Sequence, residues 1–277
     1  MRNLNWARTF TVARTDLKQL AQSKDFWLPM VLLGLLFFVI VPAILLTVLT
    51  QLADVELLAN VSQTLDVLPP ATQEAVEGFS PQGQAGFTIA VFLMAPVAVI
   101  VPLTISTAVA AATLVGERER GTGEFLANSP ADVKEIYVGK LIASLVPGYL
   151  TVFVGFGFYS LIVNFLVGPE VGGWFFPTTS WWVMILWVLP PFLALTLSLV
   201  LRLSARVQST AAAQQASGLI SLPLIMIAYS QATGALLGAD WLPLVIGGLA
   251  WVIAIISLHR GVRSVTRGRL LGVAGTV

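Results

Sequence analysis

The chain alternates between long apolar runs and short polar stretches. A bilayer span needs roughly 20 mainly apolar residues. Six runs meet that length: 26–50, 86–115, 141–167, 181–201, 209–229 and 241–258. Lipid offers no partner to a bare peptide group, so each run is predicted to be a helix. The expected fold is an all-α membrane protein with six transmembrane helices in one transmembrane domain, 1–277. Residues 1–25 are more polar, yet Trp6, Phe10, Ala13, Leu17 and Leu20 recur at helical spacing. Arg14, Asp16, Lys18 and Gln22 fall elsewhere around that helix. This is the pattern of an interfacial helix lying on the inner leaflet. A short cytosolic helix packed on a partner is the other reading. The run at 26–50 is too long for a signal-peptide core, and a polar stretch precedes it, so it is expected to stay as a span. The loop 51–85 carries Leu52, Val55, Leu58 and Leu65, a short amphipathic helix ended by Pro69-Pro70.

Composition agrees with the pattern. Charged residues make up 10% of the 277-residue chain, against about 25% in soluble domains. The apolar set reaches 57%, more than a soluble domain of this length can bury. A water-soluble enzyme and a disordered chain are both excluded. With 0 cysteines there are no disulfides and no thiol chemistry.

The charges sort by side. All 15 basic residues fall before run one, between runs two and three, between runs four and five, or after run six. These segments hold 7 acidic residues, and the alternate loops hold the other 7 with no basic residue at all. The positive-inside rule therefore places both termini in the cytoplasm, and an odd number of spans would break the alternation. Trp27, Trp174, Trp181, Trp182 and Trp241 lie near span ends, where indoles favour the headgroup zone.

No Asp, Glu, Lys, Arg or His lies well inside a span, which argues against proton coupling, voltage sensing and an intramembrane metalloenzyme. His259 is the only histidine and cannot build a metal triad. Most Ser and Thr in the spans read as close-packing positions. Gln214 and Gln215 each need protein or a cavity beside them; with Ser217 and Thr107 they are the candidates to line a path, structural bonding between helices being the alternative. Pro96, Pro102, Pro147, Pro190, Pro191 and Pro223 fit either curved packing or hinges.

The loop 116–140 differs from the others in mixing charge signs. Glu117, Arg118, Glu119 and Arg120 close span two, then Gly121 and Gly123 break the helix. Thr122 and Glu124 suit the start of a short helix that presents Phe125 and Leu126. Ser129 is expected to cap the next helix, with Pro130 at its first position and Asp132 at its third. Phe125 and Leu126 could fill a pocket on a partner, or dip into the membrane surface as part of an ordinary solvated loop.

This loop resembles that of the permease subunit of type-2 ABC export transporters. The resemblance rests on Glu117, Glu119, Gly121, Thr122, Glu124, Leu126, Ser129, Pro130, Ile136, Gly139 and Lys140, about 25 residues, and on the topology of the whole chain. It implies a coupling helix that docks on a separate ABC-type ATP-binding subunit, present in two copies. Glu117, Arg118, Glu119, Gly121, Thr122, Glu124, Phe125, Leu126, Ser129 and Pro130 would be the docking residues. It also implies a second permease chain, identical or sister, and a location in the cytoplasmic membrane of a prokaryote. ATP and Mg²⁺ would be held by the partner subunit. This chain is expected to bind no cofactor, metal or nucleic acid and to have no catalytic residues. Its Gly139-Lys140 is followed by Leu141, and Lys134 stands where a phosphate loop has its first glycine. A stand-alone membrane enzyme or channel, and a non-transporting sensor or assembly subunit, are the competing classes.

Overall fold

The structure is a computed structural model describing residues 4–52, 58, 73–74, 76–119, 129–204, 211–212, 215, 218–219, 222, 225–226 and 241–264, with backbone alone at 114–119, 204 and 263–264. Among these residues every regular element is a helix. Helix α1 is Trp6–Gln22. Helix α2 covers Lys24–Leu52, and α3 covers Pro81–Thr113 with its helical backbone running on to Glu119. Helix α4 is Val133–Leu166 and α5 is the single turn Gly168–Val171. Helix α6 covers Thr179–Leu203, and α7 is Leu242–Ser264. Five of these, α2, α3, α4, α6 and α7, are long and apolar enough to cross a membrane. The run 209–229 lies mostly outside the described residues, as does most of the loop helix expected after Leu52.

Helix α4 organises the rest. Its 34 residues give a rod of about 51 Å, longer than the roughly 30 Å hydrocarbon layer. Three glycines along it receive three different helices. A side chain at Gly139 would strike Val12 and the Thr9 carbonyl of α1. One at Gly148 would strike the Pro102 carbonyl and Ser106 of α3, and one at Gly155 would strike Phe38 of α2. In lipid, where apolar burial gives little drive between helices, such close approach is the main source of packing energy.

The prolines act through the helix they interrupt. Three wide π turns lie just ahead of prolines: Leu36–Ile40 before Pro42, Ile89–Leu93 before Pro96, and Met184–Val188 before Pro190. Proline has no N–H and its ring presses on the preceding turn; widening that turn relieves the clash. In two of these turns the orphaned carbonyl is taken by a side chain. Five residues before Pro96, the Val91 carbonyl accepts the Trp181 indole N–H at 2.9 Å. Five residues before Pro190, the Ile185 carbonyl accepts the Tyr149 hydroxyl at 2.7 Å. The Tyr159 hydroxyl donates to the Ala90 carbonyl, in the π turn ahead of Pro96, at 2.7 Å.

Trp181 therefore does not sit at a headgroup surface as its place in the sequence implied. It is fully buried, stacked on Phe156 and Tyr159 and edge-on to Phe176. The need for a donor at Val91 draws it inward. Trp181→Phe keeps the ring and removes that donor. It is expected to cost about 1–2 kcal/mol, read as a lowered thermal midpoint in detergent, while the exposed Trp182→Phe leaves the midpoint unchanged.

The opposite end of α4 is tied down by Asn164. Its amide accepts the N–H of Phe175 and of Phe176 at 2.9 and 3.0 Å and donates to the Ser160 and Phe176 carbonyls. That holds the link into α6 against α4.

Candidate functional site

The first residues of α4 gather a polar network that joins the ends of five helices. It starts with α1. Asn5 caps that helix, its side-chain oxygen accepting from Ala7 and Arg8 N–H at 3.1 and 3.4 Å. The Asn5 backbone N–H in turn donates to Glu135 Oε1 at 3.2 Å. The other oxygen of Glu135 reaches back to the Asp132 N–H at 2.9 Å. One carboxylate thus satisfies donors at the starts of α1 and α4, where the positive ends of both helix dipoles favour it.

This moves the start of α4. The expected pattern put the cap at Ser129 and the first turn at Pro130, but the helix begins at Val133 with Asp132 as its cap. Glu135 stands three residues after Asp132 and carries the stronger signal, because its carboxylate serves two helices at once. Ser129 and Pro130 instead belong to the preceding loop, and Arg8 Nη1 donates to the Pro130 carbonyl at 2.8 Å.

One turn further on, Lys140 is fully buried. Its ammonium donates to Asp16 Oδ2 at 3.3 Å and to the Thr113 carbonyl at 2.8 Å. Asp16, expected on the polar side of α1, is buried. The packed stripe of α1 is Thr9, Ala13 and Asp16, spaced as one helix face. Because Gly139 has no side chain, the Thr9 carbonyl and the Val12 side chain of α1 can approach it closely, and this packing sets Asp16 against Lys140. Trp6 and Phe10, from the predicted apolar face, remain exposed.

Tyr137 links the other side. Its hydroxyl lies 2.8 Å from Ser198 Oγ of α6. Ser198 Oγ lies 3.3 Å from Ser257 Oγ of α7, and Arg202 donates to Ser198 Oγ at 3.2 Å, to Ser257 Oγ at 2.9 Å and to the Ser257 carbonyl. Gly261 allows this approach, since a side chain there would strike the Tyr137 hydroxyl. Among the described residues no three His, Cys, Asp or Glu gather as metal ligands would. The arrangement is a mechanical junction: the segment 130–140 is bonded to α1, α3 and α6, and through Ser198 and Arg202 to α7.

The predicted site residues distribute as follows. Glu117, Arg118 and Glu119 lie in the last backbone turn of α3, and their side chains are outside the described residues. Gly121, Thr122, Glu124, Phe125 and Leu126 lie outside them entirely, as do Gln214 and Ser217. Ser129 is half-buried and Pro130 exposed. Gln215 is helical and exposed on this chain. Thr107 is buried, its hydroxyl turned onto the Leu103 and Thr104 carbonyls of its own helix at 2.8 and 3.1 Å.

The family model for ABC-2 family transporter proteins matches residues 10–267. The chain belongs to this family. A search of the curated proteins finds no match to it. As an ABC-2 family member with five membrane-length helices among its described residues, the chain is an integral membrane protein. The match runs across the junction at 130–140 and the loop before it. Asn5, Asp16, Glu135 and Tyr137 were not singled out from the sequence. The readable signal was the small-residue stripe Thr9, Ala13, Asp16 facing a Gly-Lys pair.

Proposed function

We propose that this ABC-2 family chain is the permease subunit of an ATP-driven exporter. The family match over residues 10–267 carries the reading. The chain has six spans with both termini in the cytoplasm, following its charge distribution. Helix α1 lies on the inner leaflet with Trp6 and Phe10 in the interface. The loop 116–140 docks on a separate ATP-binding subunit, which holds ATP and Mg²⁺ and supplies the hydrolysis. Two permease chains, identical or sister, enclose the path, and two ATP-binding subunits drive it.

The junction at the base of α4 supports a coupling role. A loop that ends on a flexible tether would absorb a push from its partner. This loop ends at Pro130, which is held by Arg8, two residues before a helix start bonded to α1 through Glu135. Displacement of the loop is therefore passed to α1, α3 and α6 together. A path without fixed charge suits apolar or amphipathic cargo.

The test is isolation from native membranes with a tag on this chain. A P-loop ATPase is expected to accompany it in equal amount, and the pair in vesicles is expected to hydrolyse ATP while moving cargo outward. A chain that carries out its activity in lipid with no ATPase present would overturn the proposal.

A further inference from the structure

A groove of about 420 Å³ runs between α2 and α4 and reaches α1 at one end. Leu20 and Ala21 of α1, Trp27 and Val31 of α2, and Leu150 and Val154 of α4 are among its walls. The Thr151 hydroxyl, also on the wall, is turned onto the Pro147 carbonyl at 2.9 Å. The surface offered is therefore carbon along nearly its whole length. An occupant must be elongated and apolar there.

The end at α1 is different. Successive residues turn about 100° around a helix, so Arg14 and Lys18 lie about 60° and 100° round from the groove-lining Leu17. Both are exposed. Lys24 follows Ala21 by three residues and is also exposed. Of the two acids within residues 1–26, Asp16 is turned away onto Lys140, and Asp25 follows Lys24. The groove thus joins an apolar slot to a cationic rim.

We propose that it holds one acyl chain of an anionic glycerophospholipid of the inner leaflet, with the headgroup on Arg14, Lys18 and Lys24. This rests on the inner-leaflet placement of α1 given above. Trp27, lining the groove near the inner end of α2, sits at the depth of the glycerol region, where indoles are favoured. The lipid then fills the groove between α2 and α4, so α1 is seated on protein along one stripe and on lipid along the next.

The test uses the transporter complex in nanodiscs, with phosphatidylglycerol or phosphatidylcholine probes bearing a diazirine in the tail. Adducts are expected to concentrate in residues 27–39 and 146–158, with the anionic probe favoured about tenfold. Val154→Trp fills the slot and is expected to remove most adducts from both segments. Arg14→Gln with Lys18→Gln is expected to bring the two probes level while adducts remain. Equal labelling by both probes in the unaltered chain, or adducts spread evenly onto the exposed face of α7, would overturn the inference. So would cross-linking of a photoreactive residue at position 154 to a second copy of the chain. Placement of α1 is read separately. The chain has no cysteine, so Thr11→Cys reports sidedness alone. Labelling of that cysteine from outside intact cells by an impermeant maleimide would sink the topology; protection there, with equal labelling by the two probes, sinks only the lipid site.

Discussion

Asp16→Ala is expected to destabilise the chain by roughly 3–5 kcal/mol, the usual cost of removing one partner from a buried ion pair. The Lys140 ammonium is fully buried 3.3 Å from the Asp16 carboxylate. Without that carboxylate its charge must be carried in a low-dielectric site by groups that were sharing it, or the site must open to water. The expected readouts are a thermal midpoint lowered by several degrees in detergent and faster proteolysis between α1 and α2. Asp16→Ala combined with Lys140→Met should recover most of the loss, because the thioether keeps the packing of the lysine stem and removes the charge. Recovery is incomplete, since the bond from Lys140 to the Thr113 carbonyl goes too. A double variant no more stable than Asp16→Ala alone would show that the cost does not come from the buried charge. The pair also positions α1. The stabilised double variant is therefore expected to fold well yet transport poorly, because α1 keeps its packing on Gly139 and its Asn5–Glu135 and Arg8–Pro130 bonds but loses the ion pair that ties Asp16 to α4.

How much of this was legible in the sequence differs by level. The membrane helices were legible because a bilayer demands a long apolar run, and composition supplies that signal residue by residue. Their lengths were less so: α4 begins eight residues before the apolar run at 141, because Asp132 and Glu135 start a helix that propagates through polar residues. The inward turn of Trp181 was not legible. It depends on the π turn ahead of Pro96 leaving the Val91 carbonyl without a backbone donor, and on a helix 90 residues away supplying one. The burial of Asp16 was hidden for a similar reason. Periodicity ranks positions by hydrophobicity, so it chose Trp6, Phe10, Ala13, Leu17 and Leu20 as the face laid on the membrane and left Asp16 on the polar side. Burial against protein falls on a different stripe, Thr9, Ala13 and Asp16, set by the close approach of the Thr9 carbonyl and Val12 to Gly139. Both faces exist and lie side by side on α1, one suited to protein and one to lipid.

Phe125→Asp with Leu126→Asp is the second large effect. Two apolar side chains that fill a partner's pocket commonly carry about 2 kcal/mol or more each at the centre of an interface. In the proposed docking, replacing both by carboxylates also places charge where water is excluded, in a segment whose sequence already holds Glu117, Glu119 and Glu124. Affinity for the ATP-binding subunit is expected to fall by more than about a thousandfold. Transport and stimulation of ATP hydrolysis by the permease should both drop to background. Insertion into the membrane and the thermal midpoint should hold, because the base of α4 is fixed by Glu135, Lys140 and Tyr137 independently of the loop. That separation is what makes the experiment decisive: loss of coupling in a chain that is otherwise intact reads docking rather than folding. Arg8→Ala gives the graded comparison. It frees the Pro130 carbonyl but leaves Phe125 and Leu126 in place, so the subunits should still bind while hydrolysis and transport fall out of proportion. Unaltered binding, hydrolysis and transport in the double aspartate variant would mean that this loop does not seat the ATPase, whatever the family of the chain.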